Sequence, residues 1–411
     1  MSPPAPPAGV AERPPPPELL PIDDALALVL ARVTALPAEV VALEHVHGRF
    51  LAEDVSAAID LPPFASSAMD GYALRASDAP GRLALVGESA AGIPYVGGLA
   101  PGQAIVISTG AVVPAQADAV VPLEDAIRDG EQVVLRSPVA PGAFLRHRGS
   151  DIKRGERLLC EGTRLTPARI GAAAAAGVGM LACRQQPSVA VLSTGSELRQ
   201  PGGPLAEVEI FDANGPMLKA SLEASGAHVE QIRAPADTRE AHRAALAQAL
   251  KHDVVVSSGG VSVGAHDLVR GVGRELGVSE VFWRIALRPG KPLSFGVRDA
   301  TLVFGLPGNP VSSLVCCELF VHPALLALQG AASVRPAWRS GSLGSPVERN
   351  ARRDHLIRVR LSASGGSVTL APLRGQESHQ IAITAQADGL AWIPSGVGEL
   401  AAGTEVPYLP L

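Results

Sequence analysis

Three runs of apolar, mostly β-branched residues each end in a glycine-rich turn that precedes a helical pattern. With their turns, these runs are Val189–Glu197, Val254–Gly264 and Leu302–Pro310. Continuous apolar runs of this length are typical of strands buried on both faces of a parallel sheet. The helical periodicity falls at Gly215–Ser225, Thr238–Lys251, Asp267–Leu276 and Val311–Ala327. Alternation of strand and helix predicts a doubly wound, three-layer α/β domain.

The rest of the chain has a different pattern. Short apolar runs alternate with glycine and proline turns over Phe64–Arg146, which predicts a small independent β-domain. Short strands return after Ala331, where we expect a small closing β-barrel. Amphipathic helices are expected at Asp23–Leu36 and Thr166–Ala176. Met1–Pro17 is mostly proline and alanine, and its composition predicts a disordered tail.

Composition narrows the classes of function. The chain has 411 residues, 47% of them apolar, which suggests several domains with sizeable cores. A formal net charge of −5 gives no reason to expect binding to nucleic acid. No apolar stretch is long and uninterrupted enough to span a membrane, and the four cysteines have no metal-ligand spacing. We therefore expect a soluble, cytoplasmic protein that does not bind a membrane.

The glycine turns are candidate anion sites. The carboxyl ends of parallel strands meet at one edge of a doubly wound sheet, where ligands bind. Glycine lets backbone amides approach a phosphate closely, and the following helix contributes its positive end. The common phosphate-loop, nucleophile-elbow and zinc-protease motifs do not occur, and Gly259, Gly260 and Gly264 miss the dinucleotide spacing. The glycine signal alone is therefore generic.

Charged residues lie near these turns. Four acids follow predicted strands or begin helices, namely Glu197, Asp212, Asp237 and Asp267. They could cap helices or share a magnesium ion with phosphate oxygens, and the residues alone favour neither interpretation. A turn rich in proline and glycine holds the cations Arg284, Arg288 and Lys291, an arrangement that suits an oxyanion more than a plain surface turn.

Taken in order, these segments resemble the molybdopterin molybdotransferase family, which includes MoeA and the gephyrin E-domain. The resemblance runs from about Pro62 to the C-terminal barrel. Five motifs carry it: Ser-Ala-Met-Asp-Gly-Tyr-Ala (67–73), Ser-Thr-Gly-Ser-Glu-Leu (193–198), Ser-Ser-Gly-Gly-Val-Ser-Val-Gly (257–264), Pro-Gly-Lys-Pro (289–292) and Gly-Leu-Pro-Gly-Asn-Pro-Val-Ser (305–312). Each motif alone is weak, but five in the right order are specific.

The resemblance implies a particular organisation and reaction. After a tail over 1–18, which the composition predicts to be disordered, the implied regions are a helical linker domain from 19–60 and 147–184, an inserted β-domain over 61–146, a molybdopterin-binding α/β domain over 185–331 and a C-terminal β-barrel domain over 332–411. It implies a homodimer whose site forms between the α/β domain of one subunit and the Met69–Tyr72 region of the other. The implied reaction inserts molybdate into adenylylated molybdopterin with release of AMP, assisted by Mg²⁺.

The resemblance also implies site residues. Those implied in catalysis are Asp70, Thr109, Asp151, Glu197, Asp237, Asp267 and Lys291. Those implied to bind the pterin nucleotide are Ser193, Thr194, Gly195, Asn214, Ser258, Gly259, Gly260, Ser262, Pro307 and Gly308. The implied Mg²⁺ residues are Glu197, Asp212, Asp237 and Asp267. Molybdate would lie against Arg288 and Lys291 from the α/β domain and against Arg358 and Ser378 from the barrel.

The chain departs from the family pattern at several positions. Ala65 stands where many relatives have aspartate, and Arg284 and Arg288 stand where lysine is frequent. Two other functions stay open. One is adenylation of molybdopterin, although related adenylating domains carry a Gly-Gly-Thr-Gly turn where this chain has Gly-Gly-Val-Ser. The other is a non-catalytic scaffold that binds molybdopterin.

Overall fold

The structure is a computed structural model that describes residues 19–234, 238–259 and 268–411. These residues form two compact units. One unit is Ala38–Arg184, and the other combines the described residues of 1–37 and 185–411.

A six-stranded sheet forms the centre of the larger unit. Its strands, from edge to edge, are His228–Arg233, Ser188–Ser193, Val254–Ser258, Thr301–Leu306, Ser294–Arg298 and Ser279–Trp283. The first four strands pair in parallel. The fifth strand pairs antiparallel with the fourth, and the sixth pairs antiparallel with the fifth. Its helices are Asn214–Ala224, Arg239–Ala249, Leu268–Glu275 and the continuous helical stretch 310–328. The predicted doubly wound α/β fold is confirmed, because parallel neighbours require crossover helices and the central strands are buried on both faces.

The helical stretch 310–328 is a core helix. It consists of the α-helix Pro310–Cys316, one π-helical turn at Cys317–Val321 and the α-helix His322–Leu328. The wide turn precedes Pro323, which lacks an N–H and would clash with a carbonyl one turn earlier in a regular α-helix. The stretch is long and apolar enough to cross a membrane, but 72% of the apolar window is buried inside the protein.

The first helix differs from its prediction. It spans Ile22–Leu30 rather than Asp23–Leu36. The chain leaves the helix early, and the Leu36 N–H donates to the Leu328 carbonyl at 2.8 Å. The buried face of the helix packs into the core of the α/β sheet. Residues 19–37 therefore group with the α/β unit, whereas the sequence placed 19–60 in a linker domain.

A closed barrel follows the α/β sheet. Its strands, in order, are Asp354–Ser364, Ser367–Pro372, Arg339–Leu343, Glu405–Pro410 and Gly389–Ile393, and the last pairs with the first. The short strand Leu287–Arg288 from the α/β region joins this barrel by parallel pairing. The predicted barrel is thus confirmed, and its pairing with Leu287–Arg288 fixes the cation turn against it. Smaller elements of the larger unit are Leu198–Arg199, Ile210–Phe211, Val347–Glu348, Glu399–Leu400 and the helix Ile381–Thr384.

The smaller unit is mostly β structure. Its main sheet has the order Ala119–Pro122, Gly71–Leu74, Gln103–Ile107, Gly81–Ser89, Gln132–Leu135 and Ala126–Asp129. Three strand pairs flank it: Ala38–Ala42 with Met180–Arg184, Val55–Ser56 with Arg157–Leu159, and Ser66–Ser67 with Leu145–Arg146. Three short 3₁₀ turns complete it, Leu43–His45, Ala76–Asp78 and Leu123–Asp125. Within 38–184, which is described throughout, one α-helix occurs, Pro167–Ala175, where the sequence predicted a helix over Thr166–Ala176.

Candidate functional site

A cleft of about 450 Å³ opens at the carboxyl ends of the central parallel strands. This is the edge at which doubly wound sheets bind ligands. The residues implied for the pterin nucleotide that line it are Ser193, Thr194, Gly195, Asn214, Ser258, Gly259 and Gly308. Pro307 is not among the lining residues, and its carbonyl accepts from the Ser313 hydroxyl at 2.5 Å. Gly260 and Ser262 lie outside the described residues.

Asn214 connects two of the turns that form the cleft. Its Nδ2 donates to the Ser258 Oγ at 2.7 Å and to the Gly308 carbonyl at 2.6 Å. Its Oδ1 is buried and has no hydrogen-bond partner among the described residues. Because buried polar atoms are almost always hydrogen-bonded, this oxygen is suited to accept from a ligand.

The glycine turns bring backbone close to the cleft. Gly259 has φ +93°, and a Cβ at this position would lie 3.2 Å from the Thr194 Oγ1. In the part of the chain that the structure describes, the N–H groups of Gly195 and Gly308 have no acceptor. Such groups can donate to a phosphate without competing with existing hydrogen bonds.

Two of the four predicted acids line the cleft. The Glu197 carboxylate folds over Gly195, where an added Cβ would lie 2.6 Å from its Oε2. Asp212 is buried, and its Oδ1 accepts from the Gly215 N–H at 2.9 Å. Arg233 lies 3.7 Å from the Asp212 Oδ2, so this carboxylate supports the start of a helix and an ion pair. Asp237 and Asp267 lie outside the described residues, and the described lining includes no lysine or arginine.

The cation turn lies against the barrel. Gly290 has φ +126°, and an added Cβ would meet Leu287 at 2.8 Å and the Cys316 sulphur at 2.9 Å. Only glycine fits this turn without displacing its neighbours. Arg288 pairs in register with His355 of the barrel. The Lys291 side chain is exposed and forms no ion pair with any described residue.

Arg358 positions a loop of the barrel. It is 1% exposed, and four of its N–H groups donate to protein acceptors. These acceptors belong to Gln376, Glu377, Gln380 and Thr384. Burial lowers the pKa of Arg358, and Glu377 opposes that shift. One guanidinium N–H remains uncommitted among its five, so most of this side chain already holds the loop 376–380.

The loop 376–380 joins the cation turn to the cleft. The Ser378 hydroxyl accepts from Asn309 Nδ2 at 2.8 Å, and the Ser378 carbonyl accepts from the Val311 N–H at 3.1 Å. Glu377 lies 3.8 Å from Arg288, while His379 lines the cleft. The structure therefore brings Arg288, Arg358 and Ser378 to one neighbourhood beside the cleft.

Two residues of this neighbourhood were not predicted, Arg353 and His355. His355 is 6% exposed, and its buried Nε2 has no hydrogen-bond partner in the part of the chain that the structure describes. Burial and the charges of Arg288, Arg358 and Arg353 lower its pKa to about 4. Burial and Arg288 also lower the pKa of Arg353. The sequence signal that could have found them is the run Arg-Arg-Asp-His at the start of a barrel strand.

Three predicted residues lie in the smaller unit. The Asp70 carboxylate accepts from the Thr109 N–H at 2.6 Å, so the structure brings these two together. Asp151 is exposed, and its N–H donates to the Leu61 carbonyl at 3.0 Å. No hydrogen bond joins Asp151 to Asp70 or Thr109 within 38–184.

Arg284, the remaining cation of the turn, is held by an aromatic ring. Its guanidinium carbon lies 3.8 Å from the centroid of the Trp283 ring, and Arg270 stacks on the same ring at 4.1 Å. Arg284 has φ +74°, which is uncommon for a residue other than glycine. In the described structure this arginine stacks on Trp283 rather than pairing with an acid.

Comparisons with known proteins agree with this architecture. Family models match in succession: the MoeA N-terminal region (domain I and II) over 20–177, a probable molybdopterin binding domain over 190–327 and the MoeA C-terminal region (domain IV) over 340–411. Molybdopterin molybdenumtransferase 2 of Mycobacterium tuberculosis is 36% identical over 382 residues, covering 89% of this chain and 93% of its own length. Molybdopterin molybdenumtransferase of Synechococcus elongatus is 35% identical over 398 residues, covering 93% and 97%.

A solved structure agrees as well. The crystal structure of the molybdopterin biosynthesis MoeA protein from Pyrococcus horikosii matches with a TM-score of 0.79 and 33% identity, covering 96% of this chain and 99% of its own. The fold and the site define a multidomain protein with a glycine-lined cleft on a molybdopterin-binding type of α/β domain. The chain belongs to the MoeA family.

Proposed function

We propose that this protein is a molybdopterin molybdenumtransferase, a transferase that inserts molybdate into adenylylated molybdopterin and releases AMP. One observation carries the proposal: a glycine-lined cleft is joined by the loop 376–380 to a cluster of cations, of which Arg358 is buried and Arg288 is half-buried. The reaction needs two adjoining sites of different chemistry, one for a pyrophosphate-linked nucleotide and one for a tetrahedral dianion. Relatives that align over 89% and 93% of this chain are named molybdopterin molybdenumtransferase.

The cleft suits the pterin nucleotide. The free N–H groups of Gly195 and Gly308 are donors for the pyrophosphate, and helix ends near the cleft favour negative charge. The unpaired Oδ1 of Asn214 accepts from a base or pterin N–H. These groups hold the substrate through backbone and amide contacts, which keep their positions as charge shifts.

A divalent cation fits this cleft. A pyrophosphate would lie beside the Glu197 and Asp212 carboxylates with no described lysine or arginine in the lining. Two carboxylates are enough for Mg²⁺, since it binds one or two carboxylates and takes its other ligands from water and phosphate. Glu197 would hold it, with Asp212 nearby. When bound, Mg²⁺ offsets the phosphate charge.

The cation cluster suits molybdate. Arg288 and Lys291 flank a turn whose Gly290 packs closely against Leu287 and Cys316, while Arg358 fixes the loop that carries Ser378. Holding the oxyanion beside the cleft turns a bimolecular encounter into an intramolecular one, so positioning supplies much of the rate.

The protein is proposed to work as a cytoplasmic homodimer. Three apolar side chains near the cleft are exposed, Val208, Ile210 and Phe211, and a partner surface would cover them. The Asp70 and Thr109 pair of one subunit would complete the site of the other. Mixed dimers of Asp70→Ala and Lys291→Ala subunits test this, because one intact site forms in each mixed dimer. Activity should reappear on mixing, and its continued absence would contradict a shared site.

AMP release tests the proposed reaction. Wild-type protein with adenylylated molybdopterin, molybdate and Mg²⁺ should release AMP, and Lys291→Ala should abolish release while leaving the dimer folded. Lys251→Ala is the matched control, because Lys251 is exposed and precedes the strand Val254–Ser258, at the sheet edge opposite the cleft. Adenylation of molybdopterin from ATP would instead favour an adenylyltransferase. Binding without turnover would favour a scaffold.

A further inference from the structure

We propose that His355 is a further oxyanion-binding residue, which with Arg353 completes the cation set around molybdate and takes up a proton when the oxyanion binds. This inference rests on the proposed function and adds two residues to the molybdate site.

Strand pairing builds the arrangement. Arg288 and His355 are register partners in the parallel pair formed by Leu287–Arg288 and the first barrel strand. The Asp354 N–H donates to the Ala286 carbonyl at 3.0 Å, which holds the two segments together. His355 is thus fixed next to Arg288, one of the residues proposed to bind molybdate.

Positive charge around His355 exceeds negative charge. Three guanidinium groups act on the imidazole, those of Arg288, Arg353 and Arg358. The Asp354 Oδ1 accepts from the Ser395 N–H at 2.7 Å, and this carboxylate is not among the groups that shift the pKa of His355. The other nearby acid, Glu377, is 64% exposed and lies 3.8 Å from Arg288. Within the described residues, the Arg353 guanidinium has no hydrogen bond or ion pair. Arg358 is buried and Arg353 is half-buried, and desolvated charges normally have partners, so this cluster is suited to an anion.

The buried Nε2 of His355 points to the ligand's chemistry. Burial and the three arginines keep the imidazole neutral in the free protein, with a pKa of about 4. A dianion bound among the arginines reverses the local field and favours the imidazolium. The Nε2–H then donates to a molybdate oxygen, which satisfies an atom that has no partner in the protein.

Proton uptake has a direct consequence for affinity. Between the pKa of His355 in the free protein and its higher value in the complex, affinity rises as the pH falls. The increase approaches about tenfold per pH unit, because one proton binds with each molybdate. A histidine that only packed in the barrel would take up no proton.

Isothermal titration calorimetry with molybdate tests the inference on the full chain. Titrations at pH 6 in buffers of different ionisation enthalpy give the number of protons taken up. We expect uptake approaching one proton for wild type, none for His355→Gln, and the wild-type value for His228→Gln, which changes an exposed histidine. Arg353→Met should weaken binding about tenfold, as expected for a lost charge-assisted contact.

The outcomes separate the two proposals. Molybdate binding with the same proton uptake in His355→Gln would overturn the role of His355 and leave the proposed function intact. No binding of molybdate to wild type would overturn both. If His355→Gln does not fold, ¹⁵N-histidine NMR of the wild type decides the matter. One imidazole should convert to its protonated form on adding molybdate at pH 6, and an unchanged set of imidazole signals would overturn the inference.

Discussion

Gly259 is the position at which the cleft is most sensitive to one added methyl group. Its φ of +93° lies in the region that favours glycine, and an alanine Cβ would be 3.2 Å from the Thr194 Oγ1 and 3.3 Å from the Thr194 carbonyl. The Gly259→Ala variant must therefore shift two turns of the cleft apart by a few tenths of an ångström. Nucleotide binding should weaken more than stability does.

The expected loss of AMP affinity in Gly259→Ala is worked out by separating the cost of the left-handed backbone from the cost of the contact with Thr194. A left-handed backbone costs alanine roughly 1–2 kcal/mol, partly offset by about 0.4–1 kcal/mol from the lower entropy of the unfolded chain. Gly277 has φ +87° with no atom within 4 Å of an added Cβ, so Gly277→Ala carries the backbone cost alone. Displacement of the cleft turns should add a loss of about 1.4 kcal/mol in AMP binding, or about tenfold in Kd.

Calorimetry of AMP binding and thermal unfolding of both variants measure the two effects. Both variants should lower Tm by similar amounts, a few degrees for each kcal/mol in units of this size. Only Gly259→Ala should lose affinity for AMP. Equal AMP affinity in the two variants would refute the claim that the Gly259 turn contacts the nucleotide.

Three further predictions concern Gly290, His355 and Asn214. Gly290→Ala puts a methyl group 2.9 Å from the Cys316 sulphur, so it should lower Tm. The double variant Gly290→Ala/Cys316→Ala should recover part of this loss. A double variant with the same Tm as Gly290→Ala would contradict the packing argument. Because the pKa of His355 is lowered to about 4, the unfolded chain binds its proton first as pH falls. The free energy of unfolding from urea titrations should then drop by about 2 kcal/mol more between pH 7 and pH 5 in wild type than in His355→Gln. Asn214→Asp puts a carboxylate where an amide donates to Ser258, so calorimetry should find AMP bound about tenfold more weakly, and unchanged binding would contradict that geometry.

The sequence located elements best where burial dominates the local pattern. The strand Val254–Ser258 is buried along its whole length, so its apolar residues are continuous and easily recognised. The helix expected over Asp23–Leu36 ends at Leu30 instead. Its apolar pattern continues, but the Leu36 N–H bonds to a distant carbonyl, which no local pattern records.

In the candidate site too, the sequence predicts what depends on local pattern and misses what depends on contacts between distant segments. Ser193 and Ser258 could be placed together from the sequence because they end neighbouring parallel strands. Arg353 and His355 could not, since their position beside Arg288 depends on parallel pairing between two segments distant in the chain. The sequence also could not show that the Arg358 guanidinium is already hydrogen-bonded within the protein. Two of its acceptors are backbone carbonyls of a barrel loop, and no sequence pattern marks a carbonyl as an acceptor.

Anomalous diffraction at the molybdenum absorption edge, from crystals of the protein grown with molybdate, tests the central claim most directly. The account predicts a molybdenum peak among Arg288, His355 and Ser378, beside the cleft of Gly259. A peak elsewhere on the protein, with those side chains unaltered, would contradict it.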